Sequence, residues 1–195
     1  PQDLSALRIT EIMYNPAGGN DFEFIELKNT GALPLSLEGI AFVTGIDYTF
    51  PAGASLSAGQ FAVLVYNPSA FAQLYPGVSI AGQYTSKLAN EGEQLVLVSG
   101  NTTLIDMTYD DEPPWPTSPD GLGYSLVIVA DLLDPSLAAN WRASSQLNGS
   151  PGQDDPTPVP TETPTATPSV TPTSTVTPSP TATPSPTVTP TPTWT

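Results

Sequence analysis

From Pro156 onward the chain is built almost entirely from Pro, Thr, Ser, Ala and Val, with a proline every two to six residues as far as Pro192. Proline fixes φ and removes a backbone donor, so neither a helix nor an interior strand can run through such a stretch. The segment also has too little apolar surface to offset the entropy of ordering it, and the expectation is disorder or extended polyproline II. Fully extended at about 3.1 Å per residue, it would reach on the order of 120 Å, the length of a spacer. The globular part is thereby confined to residues 1–155, enough for one well-formed core, with residues 156–195 as a Pro/Thr-rich stalk or linker. A lone tryptophan, Trp194, closes the tract and is read as an exposed end or the edge of a following domain.

Two residue types are missing, and their absence narrows the chemistry. The chain has no cysteine and no histidine, which removes disulfides, thiolate metal sites, His-ligated zinc and any triad or general base that needs an imidazole. Nineteen acids stand against four basic residues (Arg8, Lys28, Lys87, Arg142), a net charge of −15, and only Glu162 of those acids lies in the stalk. Phosphate backbones are held by clustered Lys and Arg, so nucleic acid is excluded as a partner, and anionic lipid surfaces are disfavoured for the same reason. The longest apolar runs, near Phe61–Tyr66 and Tyr124–Ala130, are far too short for a transmembrane helix. The start at Pro1 suggests a processed segment, and the stalk suggests a secreted or cell-surface protein.

Residues 1–155 read as short runs of Val, Ile, Leu, Phe and Tyr punctuated by Gly, Pro, Asn and Asp, the signature of an all-β sandwich. Candidate strands are Leu7–Tyr14, Phe22–Leu27, Ile40–Thr44, Tyr48–Phe50, Phe61–Tyr66, Gln94–Val98, Leu104–Tyr109, Tyr124–Val129 and Asn140–Ala143. One short helix is expected, capped by Asn67 with Pro68 in its first turn and Phe71, Leu74 and Tyr75 on one face. No βαβ alternation is evident, which favours a Greek-key, immunoglobulin-like β-sandwich.

Several segments, taken in order, carry a likeness. Ile9-Thr10-Glu11-Ile12-Met13-Tyr14-Asn15-Pro16 and Glu23-Phe24-Ile25-Glu26-Leu27-Lys28-Asn29 come first. Leu37-Glu38-Gly39, Gly92-Glu93-Gln94-Leu95 and Asp120-Gly121-Leu122-Gly123-Tyr124-Ser125-Leu126 follow, and Asn140-Trp141 and Gly149-Ser150-Pro151-Gly152 complete the set. In this order they resemble the lamin tail domain, an immunoglobulin-like module of nuclear lamins and of many secreted bacterial proteins. The resemblance implies the secreted bacterial type, with neighbouring domains in a longer chain and a non-catalytic interaction or scaffolding role. It supplies no catalytic residue. DNA contact, attributed to basic surfaces in some lamins, is not implied for so acidic a chain.

Candidate sites are few. Asp110, Asp111 and Glu112, with Asp120 beyond a Pro-rich turn, form the densest group of acids and match the oxygen ligands calcium prefers, although a solvated acidic loop is the simpler reading. Beyond that one calcium, no cofactor is expected. Trp115, held between Pro114 and Pro116, is either a rigid platform for a sugar or Pro-rich peptide or a lid folded onto the end of the sandwich. Trp141 is expected in the core. Glu23 and Glu26, three residues apart, belong on opposite faces of a strand, which argues for structural roles over a paired carboxylate site. The expected partner is a protein or polysaccharide, a purely structural spacer is the alternative, and a carboxylate-based hydrolase is the reading least supported.

Overall fold

In the computed structural model, which describes residues 2–156, the architecture follows from how β1 (Leu7–Met13) resolves its pattern of apolar residues. Leu7 and Ile9 point into the core, and so do Ile12 and Tyr14, a spacing that strict alternation cannot give. A β-bulge between Ile9 and Glu11 provides the extra residue: Ile9 pairs with Leu27 and Glu11 with Glu26, leaving Thr10 unmatched. Past the bulge, Ile12 and Tyr14 face inward while Glu11 and Met13 face outward.

Further along the chain come β2 (Phe24–Asn29), β3 (Leu35–Ser36), β4 (Ile40–Thr44), β5 (Tyr48–Thr49), β6 (Ser55–Leu56) and β7 (Phe61–Val65). After a short helix, α1 (Pro68–Leu74), the strands are β8 (Ile80–Gln83), β9 (Glu93–Ser99), β10 (Thr102–Tyr109), β11 (Leu126–Ile128) and β12 (Trp141–Ala143). A six-stranded sheet in the order β12-β11-β1-β2-β7-β8 packs on a four-stranded sheet in the order β10-β9-β4-β5, and β3 pairs with β6. Residues from both inner faces, among them Ile25, Leu64 and Leu126 from one and Phe42, Leu97 and Met107 from the other, form one buried core. This is an immunoglobulin-like β-sandwich, as the alternating runs suggest.

The described residues correct several expectations. Strands β3, β6 and β8 are short or polar and gave too little alternation to be read from sequence, and Asn140 ends a 3-10 turn instead of starting the last strand. The chain also contains one β-α-β crossover: β7 and β8 pair in parallel, joined through α1, against the expectation that none exists. The Pro/Thr-rich stretch, apart from Pro156, lies outside the described residues, and so does Trp194.

Helix α1 forms for local reasons and stays for tertiary ones. The Asn67 side chain accepts hydrogen bonds from the backbone of Ser69 (3.1 Å) and Ala70 (3.2 Å), with Pro68 in the first turn. Seven residues are too few for an isolated helix, so burial must hold it. Phe71 is fully buried on the outer face of the six-stranded sheet, in a second cluster with Met13, Phe24, Val63 and Val65. It meets Phe24 edge-on at 5.8 Å and stacks near Tyr75 at 4.5 Å. Leu74, expected on the same buried face, is partly exposed. Val63 and Val65 are thus buried on the side of β7 that ordinary alternation would leave wet, which explains the continuous apolar run of that strand.

Urea denaturation checks this account. Phe71→Ala is expected to cost about 3–5 kcal/mol, and Asn67→Ala about 1 kcal/mol through loss of the cap.

Candidate functional site

The outer face of the six-stranded sheet is divided. Helix α1 covers its apolar half, and the polar half, made by Glu11, Glu26, Lys28 and Arg142, is crossed by the segment 149–155. Every point of attachment is a charge or a charge-assisted hydrogen bond. Glu11 accepts from Ser125 Oγ (2.5 Å), from the Ser150 backbone N–H (2.9 Å) and from Ser150 Oγ (3.2 Å). Glu26 accepts from Thr10 Oγ1 (2.7 Å) and from the Gly152 N–H (2.6 Å). Lys28 pairs with Asp131 (2.7 Å) and with Asp154, and Arg142 with Asp155 (2.5 Å), whose side chain is completely covered. Half of the four basic residues in the whole chain are spent on this strap.

The local sequence explains the close approach. Gly149 has φ +75, and a Cβ there would collide with the Glu11 carboxylate and lie 2.8 Å from Ser125 Oγ, so only glycine lets the chain descend onto the sheet. A cleft of about 310 Å³ remains beside the strap, lined by Glu11, Glu26, Lys28, Asp131, Arg142 and Asp155 among others.

Burial dominates the electrostatics of this face. Glu11 and Glu26 are each about 1% exposed and sit directly opposite one another across β1 and β2. Desolvation, opposed by the donated hydrogen bonds, lifts Glu11 to about 7. Desolvation together with the neighbouring Glu11 lifts Glu26 to about 8. Glu23 lies on the inner side, as its offset from Glu26 requires; it accepts from the Leu88 N–H (2.9 Å) and is lifted to about 7 by burial. Its Oε1 has no partner among the described residues. Sequence reasoning set Glu23 and Glu26 apart correctly but missed Glu11, because an inserted bulge residue is invisible to a strict two-residue period. The paired carboxylates are Glu11 and Glu26, contrary to the expectation that the acids show no paired placement.

The acidic loop is not drawn into one site. Asp110 accepts from the Glu112 N–H (2.9 Å), and Asp120 accepts from Asn15 Nδ2 (2.6 Å), tying the loop to the end of β1. Asp110, Asp111 and Asp120 lie near enough to Tyr14 to join burial in raising its phenol, yet among the described residues no three acids converge as a metal-binding group. Trp115 is half-buried and packs against Trp141 at a ring-centroid distance of 6.2 Å, so of its two readings the structure adopts the lid. Trp141 lies in the core, with its indole donating to Pro135 O (2.8 Å).

A two-sheet sandwich whose buried carboxylates hold its own chain defines a class: an immunoglobulin-like β-sandwich module. The family model described as Lamin Tail Domain matches residues 1–111, and the chain belongs to that family. Strands β11 and β12 and the strap lie beyond the matched residues. No curated protein and no solved structure matches the chain.

Two measurements test the site. A carboxyl whose folded-state pKa is raised makes the folded state the stronger proton binder between its ordinary 4.5 and 7 to 8. Stability is therefore fullest at the acid end of that window and is lost as pH rises through it. Unfolding free energy is expected to fall from about pH 5 to about pH 8, with a clearly shallower slope in the Glu11→Gln, Glu26→Gln double variant. Melting temperatures in excess EDTA and in millimolar calcium are expected to coincide. A rise in calcium that Asp110→Asn, Asp111→Asn removes would restore the loop as an ion site.

Proposed function

We propose that this chain is a secreted or surface-displayed, non-catalytic interaction module, a lamin-tail head presented on a Pro/Thr stalk to a protein or polysaccharide partner. The observation that carries the reading is the strap. The last residues before the Pro-rich tract are pinned to the sheet by Glu11, Glu26, Lys28 and Arg142, so the tract departs from a fixed point on the head. A head anchored at its junction with a Pro/Thr-rich tract suits display at a distance from a neighbouring domain or surface.

The charge balance supports a cationic or neutral partner over an anionic one. The absence of imidazole and thiol, and the engagement of the carboxylate pair by the strap, support a role without turnover. Incubation of the full chain with panels of glycosides, esters and phosphodiesters is expected to give no turnover, and arrays of glycans and surface proteins a saturable binder. Turnover would overturn the reading, and binding to none of the arrayed partners would favour the structural-spacer alternative.

A further inference from the structure

Strand β10 closes one side of the four-stranded sheet. It pairs with β9 only, and among the described residues no strand or loop backbone hydrogen-bonds to its other edge over Thr102–Tyr109. An eight-residue open edge is a template for another chain, and folds usually blunt or cover one. Here no proline blunts it and no strand covers it, and a register shift between Thr103 and Ile105 is its one irregularity among the described residues. Instead it borders two adjoining clefts, of about 560 Å³ and 370 Å³, which share Arg8 and Leu104 and together follow β10 from Thr102 to Asp106. Five residues of extended chain span about 17 Å.

The walls indicate what lies there. Leu132, 73% exposed, and Leu133, 36% exposed, form an apolar rim opposite β10. Asp3, Asp106 and Asp134 place carboxylates along the two clefts, against the single lining cation Arg8, while Asp131 is already paired with Lys28. Arg8 Nε has no partner among the described residues, and Nη2 reaches only Leu132 O at 3.4 Å, so the guanidinium of the one cation that lines both clefts is sparsely engaged. A second copy of this chain fits poorly, because two chains of net charge −15 would bring their acidic rims together. The Pro/Thr tract fits poorly as well, since its prolines lack the N–H groups that a ladder needs.

We propose that this groove takes a basic, extended segment of a partner protein, which adds to the sheet as a strand beside Thr102–Asp106. The free main-chain groups of β10 pair with those of the incoming strand, and its Lys or Arg side chains meet the acidic rim. The inference deepens the interaction-module reading and rests on it for its physiological setting, while the binding itself is testable alone.

The test titrates the full chain, ¹⁵N-labelled, with a blocked octapeptide of alternating lysine and valine. Saturable binding with shifts centred on the amides of Thr102–Asp106 is expected. The alternating glutamate–valine peptide should bind at least about tenfold more weakly, because like charges meet in the groove. A lysine–valine peptide N-methylated at alternate residues keeps its charge but cannot complete the ladder, and should lose most of its affinity. Equal binding by the N-methylated peptide would reduce the effect to bulk electrostatics and overturn the proposal, as would shifts that map elsewhere or no binding at all. A protein or glycan from the arrays that binds without moving the β10 amides would uphold the module reading and overturn the groove.

Discussion

The pairing of Glu11 with Glu26 across β1 and β2 is the constraint on which the outer face of this module depends. Two carboxyl groups about 1% exposed, facing each other, would be untenable without donors. Thr10, Ser125 and the backbone of Ser150 and Gly152 supply them. Two of those donors belong to a segment more than a hundred residues away in sequence. The strap is therefore less an appendage than the completion of β1 and β2. Remove it, and each buried acid loses its backbone donor.

The attachment extends beyond the two carboxyl groups. Lys28 and Arg142 extend the attachment to Asp154 and Asp155, where the folded head gives way to the Pro-rich tract. Buried ion pairs and hydrogen-bonded carboxylates contribute little net stability compared with apolar packing, but breaking one partner is costly. Such contacts suit a junction that must keep one register. Burial also raises the pKa of both acids, so the same pair that fixes the strap makes the fold less stable as pH rises through about 7 to 8.

The edge of the four-stranded sheet, beside the strap cleft and sharing Ile128 and Asp131 with it, is organised differently. There the long edge of β10 remains open beside a groove with apolar and acidic walls. One face is closed by the chain's own residues 149–155, and one edge stays open.

Much of this was legible in the sequence. Alternation in Leu95, Leu97, Ile105, Met107 and Tyr109 marks the four-stranded sheet, and Asn67-Pro68 marks the helix start, because both signals are local. The absence of His and Cys bounded the chemistry without any structure, since no fold can supply a missing side chain. Only the tertiary structure decided the rest. The bulge at Thr10 turns Glu11 outward, and α1 buries the far side of β7; the strap gives two carboxylates their donors, and Trp115 settles on Trp141. Each of these depends on residues far apart in the chain meeting across a sheet, and no local period or composition encodes such a meeting.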